Sequence, residues 1–347
     1  MIDFFHRHQS ALRRLSFLLL AAVLGLLLIA QIAAFAAARI FSYAMNRQHM
    51  LRGHISVEKI SADIAGYVSF ENLLWTDDHG VPILFVPEGK IKVRPEDILR
   101  GKLRATAISD IRLRNASAAL QFDKNMDVDL INKTAAESEP VQERTKTLHE
   151  KIANFKRNGQ KMKMNIHLEN CQLEAFYENR HFLLSHVDMH LNIDTDDSLF
   201  VDLSSGKFGG TAIGDSVKIY GDIDMKNDEH TIAMNVSFYG VDPASLGLGN
   251  NIHDKLTLIA EAGGPVASPK AEGKITMEQL HIPALSFSHL DGHVFYHHGK
   301  MKFTDVTGRV YGGTVKASGN YDIDTRAYNI HLAGKKLDSR YPAKDAA

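Results

Sequence analysis

Strict alternation of apolar and polar residues is the feature that most restricts the fold of this chain. In KMKMNIHLE the apolar side chains from Met162 to Leu168 fall on one side of an extended strand, and polar side chains fall on the other. The segments HVDMHLNID, HTIAMNVSFYG and YNIHLAG repeat this period of two, with polar turn clusters between them. Successive strands with short connections predict antiparallel meanders rather than strand–helix–strand units.

One sequence motif occurs twice, at 209–240 (GGTAIGDSVKIYGDIDMKNDEHTIAMNVSFYG) and at 312–334 (GGTVKASGNYDIDTRAYNIHLAG). Both contain Gly-Gly-Thr, Val-Lys-x-x-Gly-x-x-Asp, a polar turn and an alternating apolar run. Gly221 and Gly319 fall inside the predicted strands, where glycine marks a bulge or a curve. The degenerate repeat predicts an elongated sheet that is lengthened by repetition of its unit.

The segment 15–38, LSFLLLAAVLGLLLIAQIAAFAAA, has no charged residue. As a helix it would be about 36 Å long, enough to cross a hydrocarbon core of about 30 Å. A cleaved signal peptide is the alternative, but its apolar region would be shorter. We therefore expect a retained transmembrane anchor. Arginines flank the segment almost equally, but the pair at 13–14 abuts it, and long downstream domains translocate largely regardless of charge. We therefore expect residues 1–14 in the cytoplasm and the bulk of the chain in the periplasm.

Two internal segments have helical patterns. RPEDILRGK starts near Pro95 and stops at Gly101, which predicts about two turns. PVQERTKTLHEKIANFKRNG carries one narrow apolar stripe and follows a polar loop. These patterns divide the exported part into an N-terminal β module at 50–135, an amphipathic helix at 138–159 and a repeated β region at 160–347.

Composition and motifs exclude several classes of function. The chain has 40 basic and 41 acidic residues without a block of like charge, so we expect no nucleic-acid partner. The single cysteine, Cys171, is expected to be a small buried side chain. DTDDS at 194–198 lacks the glycine and glutamate of a calcium loop, and GDS at 214–216 lacks the elbow of a hydrolase nucleophile. We therefore predict no enzyme activity and no cofactor.

Eighteen histidines raise the question of a metal site. His289, His293 and His297 share one face of a continuous strand, but four strand residues span roughly 13 Å, and zinc ligands lie about 2 Å from the metal. One strand cannot supply two such ligands, whereas ligands from neighbouring strands are left open. Surface histidines without metal are the favoured interpretation.

Two stretches resemble a known family. The stretch from Gly263 to Asp324 resembles the repeated unit of AsmA-like and TamB-like envelope proteins, with a Gly-x-x-x-x-Pro start, hairpins and a Gly-Gly turn before an Asp-rich turn. The stretch from His54 to Lys133, which includes PEDILRGK, looks like the opening module of that family. The chain is much shorter than the best-known members.

The resemblance implies a mainly β fold: a transmembrane helix, then an elongated, curled antiparallel β-sheet groove built from degenerate repeats, with one or two short helices. It also implies a role in envelope biogenesis, in which the groove carries phospholipid or another acyl lipid from the inner membrane. The alternative is an assembly factor that binds outer-membrane proteins through a sheet edge. The residues by themselves favour an ordinary packed core. Under the resemblance, the candidate groove-lining residues are Met164, Ile166, Leu168, Val187, Met189, Leu191, Ile193, Ile232, Met234, Val236, Phe238, Ile330 and Leu332.

Overall fold

The computed structural model describes residues 53–63, 65–93, 108–122, 163–177, 179–227, 229–245, 254–282, 285–323, 325–338 and 340. This part of the chain is mainly β, as predicted. The expected anchor at 15–38 and the two expected helices lie outside the described residues. Within the described ranges, no helix has the length and apolar character needed to span a membrane.

Seventeen strands follow one another along the described chain. Most are long, and their sequences alternate between core-facing and solvent-facing side chains. They are β1 (His54–Ala62), β2 (Tyr67–Thr76), β3 (Pro82–Val93), β4 (Ile108–Arg114), β5 (Ser117–Phe122), β6 (Lys163–Tyr177), β7 (Arg180–Asp194), β8 (Ser198–Ser204), β9 (Phe208–Gly210), β10 (Ser216–Asp224), β11 (Thr231–Val241), β12 (Leu256–Pro265), β13 (Lys270–Ile282), β14 (Leu285–His297), β15 (Lys300–Val310), β16 (Gly313–Asp322) and β17 (Tyr328–Lys335).

All seventeen strands belong to one sheet, and they pair in nearly the order of the sequence. β4 and β5 share one rung between β3 and β6, and β8 and β9 share one rung beside β7. The sheet therefore has fifteen rungs, which makes it roughly 70 Å long at about 4.8 Å per rung. The sheet contains the described strands of both the 50–135 and the 160–347 regions.

One strand pairing is parallel, whereas the sequence predicted antiparallel pairing throughout. β4 and β5 pair with β6 in parallel, with Asp110 opposite Asn165 and Ser117 opposite Gln172. A parallel pair needs a crossover, because the chain must return to the same end of the sheet before the next strand begins. The connection between β5 and β6, residues 123–162, lies outside the described residues.

Several neighbouring strands share an irregular position, hereafter the crease, at which the alternation of inward and outward side chains shifts by one residue. Asn72, Asn115, Asn170 and His186 have positive φ, a conformation that Asn and His tolerate better than most residues. The Asn170 side-chain amide donates to Asn115 Oδ1 at 2.7 Å, and the Asn170 backbone amide donates to Asp188 Oδ1 at 2.9 Å. Core-facing residues at the crease are therefore three positions apart rather than two, in the pairs Val57/Ile60, Phe70/Leu73, Leu113/Ala116, Leu168/Cys171 and Leu184/Val187.

The two copies of the repeat fold as two matching hairpins, β10–β11 and β16–β17. Gly221 is opposite Met234, and Gly319 is opposite Ile330. A Cβ atom at Gly221 would collide with the carbonyl oxygen of Ala233, and one at Gly319 would collide with that of Asn329. Both glycines thus allow a close backbone approach inside a strand, which explains why they recur.

The main core lies on one face of the sheet, hereafter the inner face. Buried side chains from β2, β3, β6 to β11 and the β4–β5 junction form one cluster, and residues of β1, β4 and β12 pack against it. Val86, Cys171 and Val187 are almost completely buried there. A second, much smaller cluster of Phe287, Val310 and Val315 lies in the C-terminal strands. The core is therefore concentrated between β1 and β11.

Candidate functional site

Strand register places all of the candidate lining residues on the inner face. Met164, Ile166 and Leu168 are opposite Ile193, Leu191 and Met189. Since paired residues in adjacent strands project to the same side, this face can be followed rung by rung from β6 to β17. The apolar sides that the sequence identified separately therefore form one continuous surface.

The N-terminal part of this surface is packed. Val187 has no exposed area and belongs to the main cluster, against which Leu168, Met189 and Phe238 pack. Met164, Ile166, Leu191, Ile193, Ile232, Met234 and Val236 are half-buried along the same face. These residues stabilise the sheet by removing apolar area from water, whatever else they contact.

The C-terminal part of the inner face is open. A cavity of about 250 Å³ lies over β12 to β17, and nearly all of its surface is apolar. Of the candidate residues, Ile330 and Leu332 line it, and both are more than half exposed. The remaining walls come from neighbouring strands and include Ile275, Met277, Leu280, Phe287, Leu290, Phe303, Val306, Val315 and Ala317.

Small residues explain why this cavity is open. Among the residues that line it, Gly319 lies between Phe303 and Ile330, and Ala317 lies between Val306 and Leu332. Glycine and alanine occupy inner-face positions where β6 to β8 carry leucine, isoleucine, valine and methionine. The space is therefore a consequence of the small side-chain volume at these positions.

Most of the cavity walls were missed by the search for strict alternation. In KITMEQLHI and LSFSHLDGHVFYH, the apolar side chains shift by one residue within the strand. In β14 the shift occurs at His289, which has φ of 50°. Met277 and Leu280 are three residues apart, yet both line the cavity. A search that allows one shift of parity at Asn, His, Asp or Glu would have identified these segments.

The last strand, β17, leaves an apolar edge of the sheet exposed. All eight of its residues are exposed, and in the described residues it pairs only with β16. Tyr328, Ile330 and Leu332 line the cavity from this edge. The cavity is therefore bounded on one side by a strand that nothing in the described part of the chain covers.

The opposite, outer face carries polar and aromatic side chains. His167 stacks on His190 with ring centroids 4.5 Å apart, and Phe200 packs edge-on against both His190 and Tyr220. Burial lowers the pKa of His167, and the neighbouring His190 acts in the same direction. In the part of the chain that is described, no group of three or more His, Cys, Asp or Glu side chains is placed to hold a metal ion.

Cys171 lies at the crease, as a buried side chain. It contacts the carbonyl oxygens of Leu113 and Glu169. Burial raises the pKa of its thiol, which disfavours the reactive thiolate. The residue therefore acts as a small core side chain.

Comparisons with known proteins give no relative from which a function can be transferred. No protein-family model, no curated protein and no solved structure matches the chain. The geometry of the inner face is thus the basis for any functional assignment.

Proposed function

We propose that this protein is a membrane-anchored envelope protein, related in kind to the AsmA-like and TamB-like proteins, that carries acyl lipid along its apolar inner face. In this proposal residues 15–38 anchor it in the cytoplasmic membrane, the N-terminus is cytoplasmic, and the sheet lies in the periplasm. The protein moves lipid without catalysing a reaction.

The observation that carries the proposal is the open apolar cavity at the end of a continuous apolar face. An acyl chain has no polar group to be oriented. A site for it therefore needs apolar surface area rather than directed hydrogen bonds. Apolar burial contributes about 25 cal/mol per Å² and has no preferred direction. A chain held this way can slide between neighbouring positions on the face, which suits transport better than tight storage.

The cavity is small compared with the usual pockets for drug-sized ligands, which occupy about 300–1,000 Å³. It is also open along β17, where Tyr328, Ile330 and Leu332 are exposed. These dimensions favour a single acyl chain, with the polar headgroup of the lipid left in water. The sheet does not have to enclose the whole lipid.

Photocrosslinking in the native membrane tests the proposal. The photoreactive residue p-benzoyl-phenylalanine replaces Phe303 inside the cavity, or Tyr220 on the outer face as a matched aromatic control. We expect a phospholipid adduct, identified by mass spectrometry, at Phe303 and not at Tyr220. Equal adducts at the two positions, or none at Phe303, would exclude lipid carriage at this cavity.

A filling substitution provides the second arm of this test. Ala317 lines the cavity, whereas Ala333 projects from the outer side of β17 opposite Lys316. Ala317→Phe should fill the space and reduce the lipid adduct at Phe303, and Ala333→Phe should leave it unchanged. Circular dichroism checks that both variants fold.

The exposed edge of β17 favours a second candidate function, the binding of an outer-membrane protein by strand addition. The amide of Asp322 donates to the carbonyl oxygen of Ala327, so antiparallel alternation directs the N–H of Ile330 away from β16. Ile330→Pro would remove that outward donor without breaking a bond to β16. Loss of an outer-membrane protein partner in Ile330→Pro, with the Phe303 lipid adduct retained, would favour this function over lipid carriage.

A further inference from the structure

Large apolar side chains are exposed together at one end of the N-terminal strands. This group, hereafter the apolar rim, consists of Val81, Phe85, Phe176, Phe182 and Ile213, which are between 38% and 57% exposed. Single exposed apolar residues are common on soluble proteins, whereas a group of them in one place marks a contact surface.

Strand register places the members of the rim at the same end of the sheet. The first strand, β1, begins beside the β2–β3 turn, which carries Val81. β5 starts opposite Phe85 and runs parallel to β6 toward the β6–β7 turn, beside which Phe176 and Phe182 lie. β9 ends opposite Phe182 and leads into Ile213.

The rim is apolar on both faces of the sheet. Phe182 is on the inner face, two residues before Leu184, which packs against the main cluster. Phe85 is on the outer face, because the next residue of its strand, Val86, is fully buried on the inner face. Phe176 is also on the outer face, where its ring stacks on His181. An end of a sheet that carries apolar side chains on both faces suits an apolar medium that surrounds it, since a sheet in water normally keeps one face polar.

The opposite end of the same strands is polar. Asp194, where β7 ends, pairs with Lys163 Nζ at 2.7 Å. Asp197, in the turn that follows, pairs with Lys226 of the β10–β11 turn. The two ends of the N-terminal strands therefore differ in the solvent that suits them.

The chain enters the sheet at the apolar end. The amide of Gly53 donates to Asp78 Oδ1 at 3.1 Å, which holds the start of the described chain against the β2–β3 turn. Residues 39–52 separate Gly53 from the uncharged segment 15–38, and fully extended they would span at most about 50 Å. The rim thus lies at the end of the sheet to which the expected anchor is connected.

We propose that the apolar rim inserts into the phospholipid surface of the membrane that holds the anchor. Apolar protein surfaces of this kind are buried about 5–10 Å into the boundary between headgroups and acyl chains. This inference rests on the proposed function, which places residues 15–38 in that membrane. Insertion brings the inner face of β3 to β9 to the bilayer, where an acyl lipid can enter or leave it.

Photocrosslinking of the full chain, reconstituted in vesicles of phosphatidylethanolamine and phosphatidylglycerol, tests the contact. The photoreactive residue p-benzoyl-phenylalanine replaces Phe85 or Phe176 in the rim, or Phe295 as the control. Phe295 is also an outer-face phenylalanine, beside the buried Val294, and it is 36% exposed. We expect phospholipid adducts at Phe85 and Phe176 and none at Phe295. Because the contact is apolar, high salt should leave the adducts unchanged.

A charge in the rim provides the second arm. Val81 contacts Asp77 through its backbone atoms, so Val81→Asp should keep the turn. We expect Val81→Asp to reduce the adduct at Phe176 by at least about threefold, because it removes apolar area from the contact. Ile259→Asp, at a residue of β12 that is 49% exposed, should leave the adduct unchanged.

The outcomes separate this inference from lipid carriage. Ala317→Phe, which fills the cavity, should leave the rim adducts intact while it reduces the adduct at Phe303. The inference is overturned if the chain floats with the vesicles but Phe85 and Phe176 give no lipid adduct, or give no more than Phe295. It is also overturned if the main product at Phe176 is a crosslink to a second copy of the chain. A chain that does not float with the vesicles would overturn the anchor and the inference together.

Discussion

The packed and open parts of the inner face differ although they belong to one sheet with one register. Val187, in β7, is fully buried, whereas Leu332, in β17, is 56% exposed. Both are apolar residues of alternating strands, and both lie on the same face. Alternation therefore determines which face a residue occupies, but not whether that face is filled.

The packed and open parts differ in the size of the inner-face side chains on neighbouring strands. Between β1 and β11, large side chains from many strands meet in one cluster. Between β12 and β16, positions such as Gly273, Gly292 and Gly319 carry no side chain, and only three residues form the buried C-terminal cluster. Stability is thus concentrated in one part, and accessible apolar area in the other.

A charge placed in each part should have the largest effect and should separate the two parts clearly. Val187→Asp puts an unpaired carboxylate in the main cluster, and we expect a loss of more than about 4 kcal/mol in the free energy of unfolding. Leu332→Asp keeps its carboxylate in water, so we expect a folded protein with nearly the wild-type melting temperature. Thermal unfolding followed by circular dichroism measures both.

Leu332→Asp also probes the function of the open part. The substitution places a charge at the mouth of the cavity, and we expect the lipid adduct at Phe303 to disappear while the protein stays folded. If Leu332→Asp destabilised the protein as much as Val187→Asp, the C-terminal face would be a packed core in solution, and the contrast between the two parts would be lost.

The repeated hairpins allow the same substitution in both parts. Gly221→Ala should cost about 2 kcal/mol, because φ of 152° and the carbonyl oxygen of Ala233 leave no room for a Cβ atom. Gly319→Ala meets the carbonyl oxygen of Asn329, but β17 is an edge strand and can move away. We therefore expect a smaller loss for Gly319→Ala in urea unfolding. A larger loss there would mean that β17 is held as firmly as β11.

Most strands could be predicted from the sequence, but one strand pairing and the crease could not. Strands such as β11 and β17 could be predicted because alternation is a local property. The parallel pairing of β4 and β5 with β6 could not, because it depends on which distant strands meet, and the sequence between them does not encode the partner. The crease was missed for another reason: Asn115 and Asn170 shift the alternation by one residue, and a strict period of two ends a strand there.

The candidate site shows the same limit. Ile330 and Leu332 were found because they alternate, whereas Phe303 and Ala317 were not, since a cavity is defined by missing volume on neighbouring strands. The contact between the rings of His297 and His298 could not be predicted either. Their adjacency in sequence argues for opposite directions, and only the positive φ of His298 reverses it.

The crease itself can be tested with a pair of substitutions at one residue. Asn170→Ala should cost about 1 kcal/mol, because alanine disfavours a positive φ and the hydrogen bond to Asn115 Oδ1 is lost. Asn170→Gly loses the same side-chain bond but accepts the backbone conformation, so we expect a smaller loss. Equal losses would show that the Asn115–Asn170 bond, rather than the backbone conformation, holds the crease.

The smallest expected effect concerns pH, and it again compares the two parts. The folded protein lowers the pKa of His167 below its usual value of about 6.5, mainly by burial and then through His190. The unfolded chain then binds more protons than the folded one as pH falls below that value. Stability should be highest above this range and should decline as pH falls toward the pKa of the folded protein.

His167→Gln should therefore reduce the fall in melting temperature between neutral and mildly acidic pH. The pKa of His297 is lowered as well, by desolvation and then by His298, but this residue lies at an exposed turn of the open part. Water screens its interactions, so His297→Gln should change the acid response less than His167→Gln. A larger effect at His297 would mean that the turns of β12 to β15 are more tightly packed than the open cavity beside them suggests.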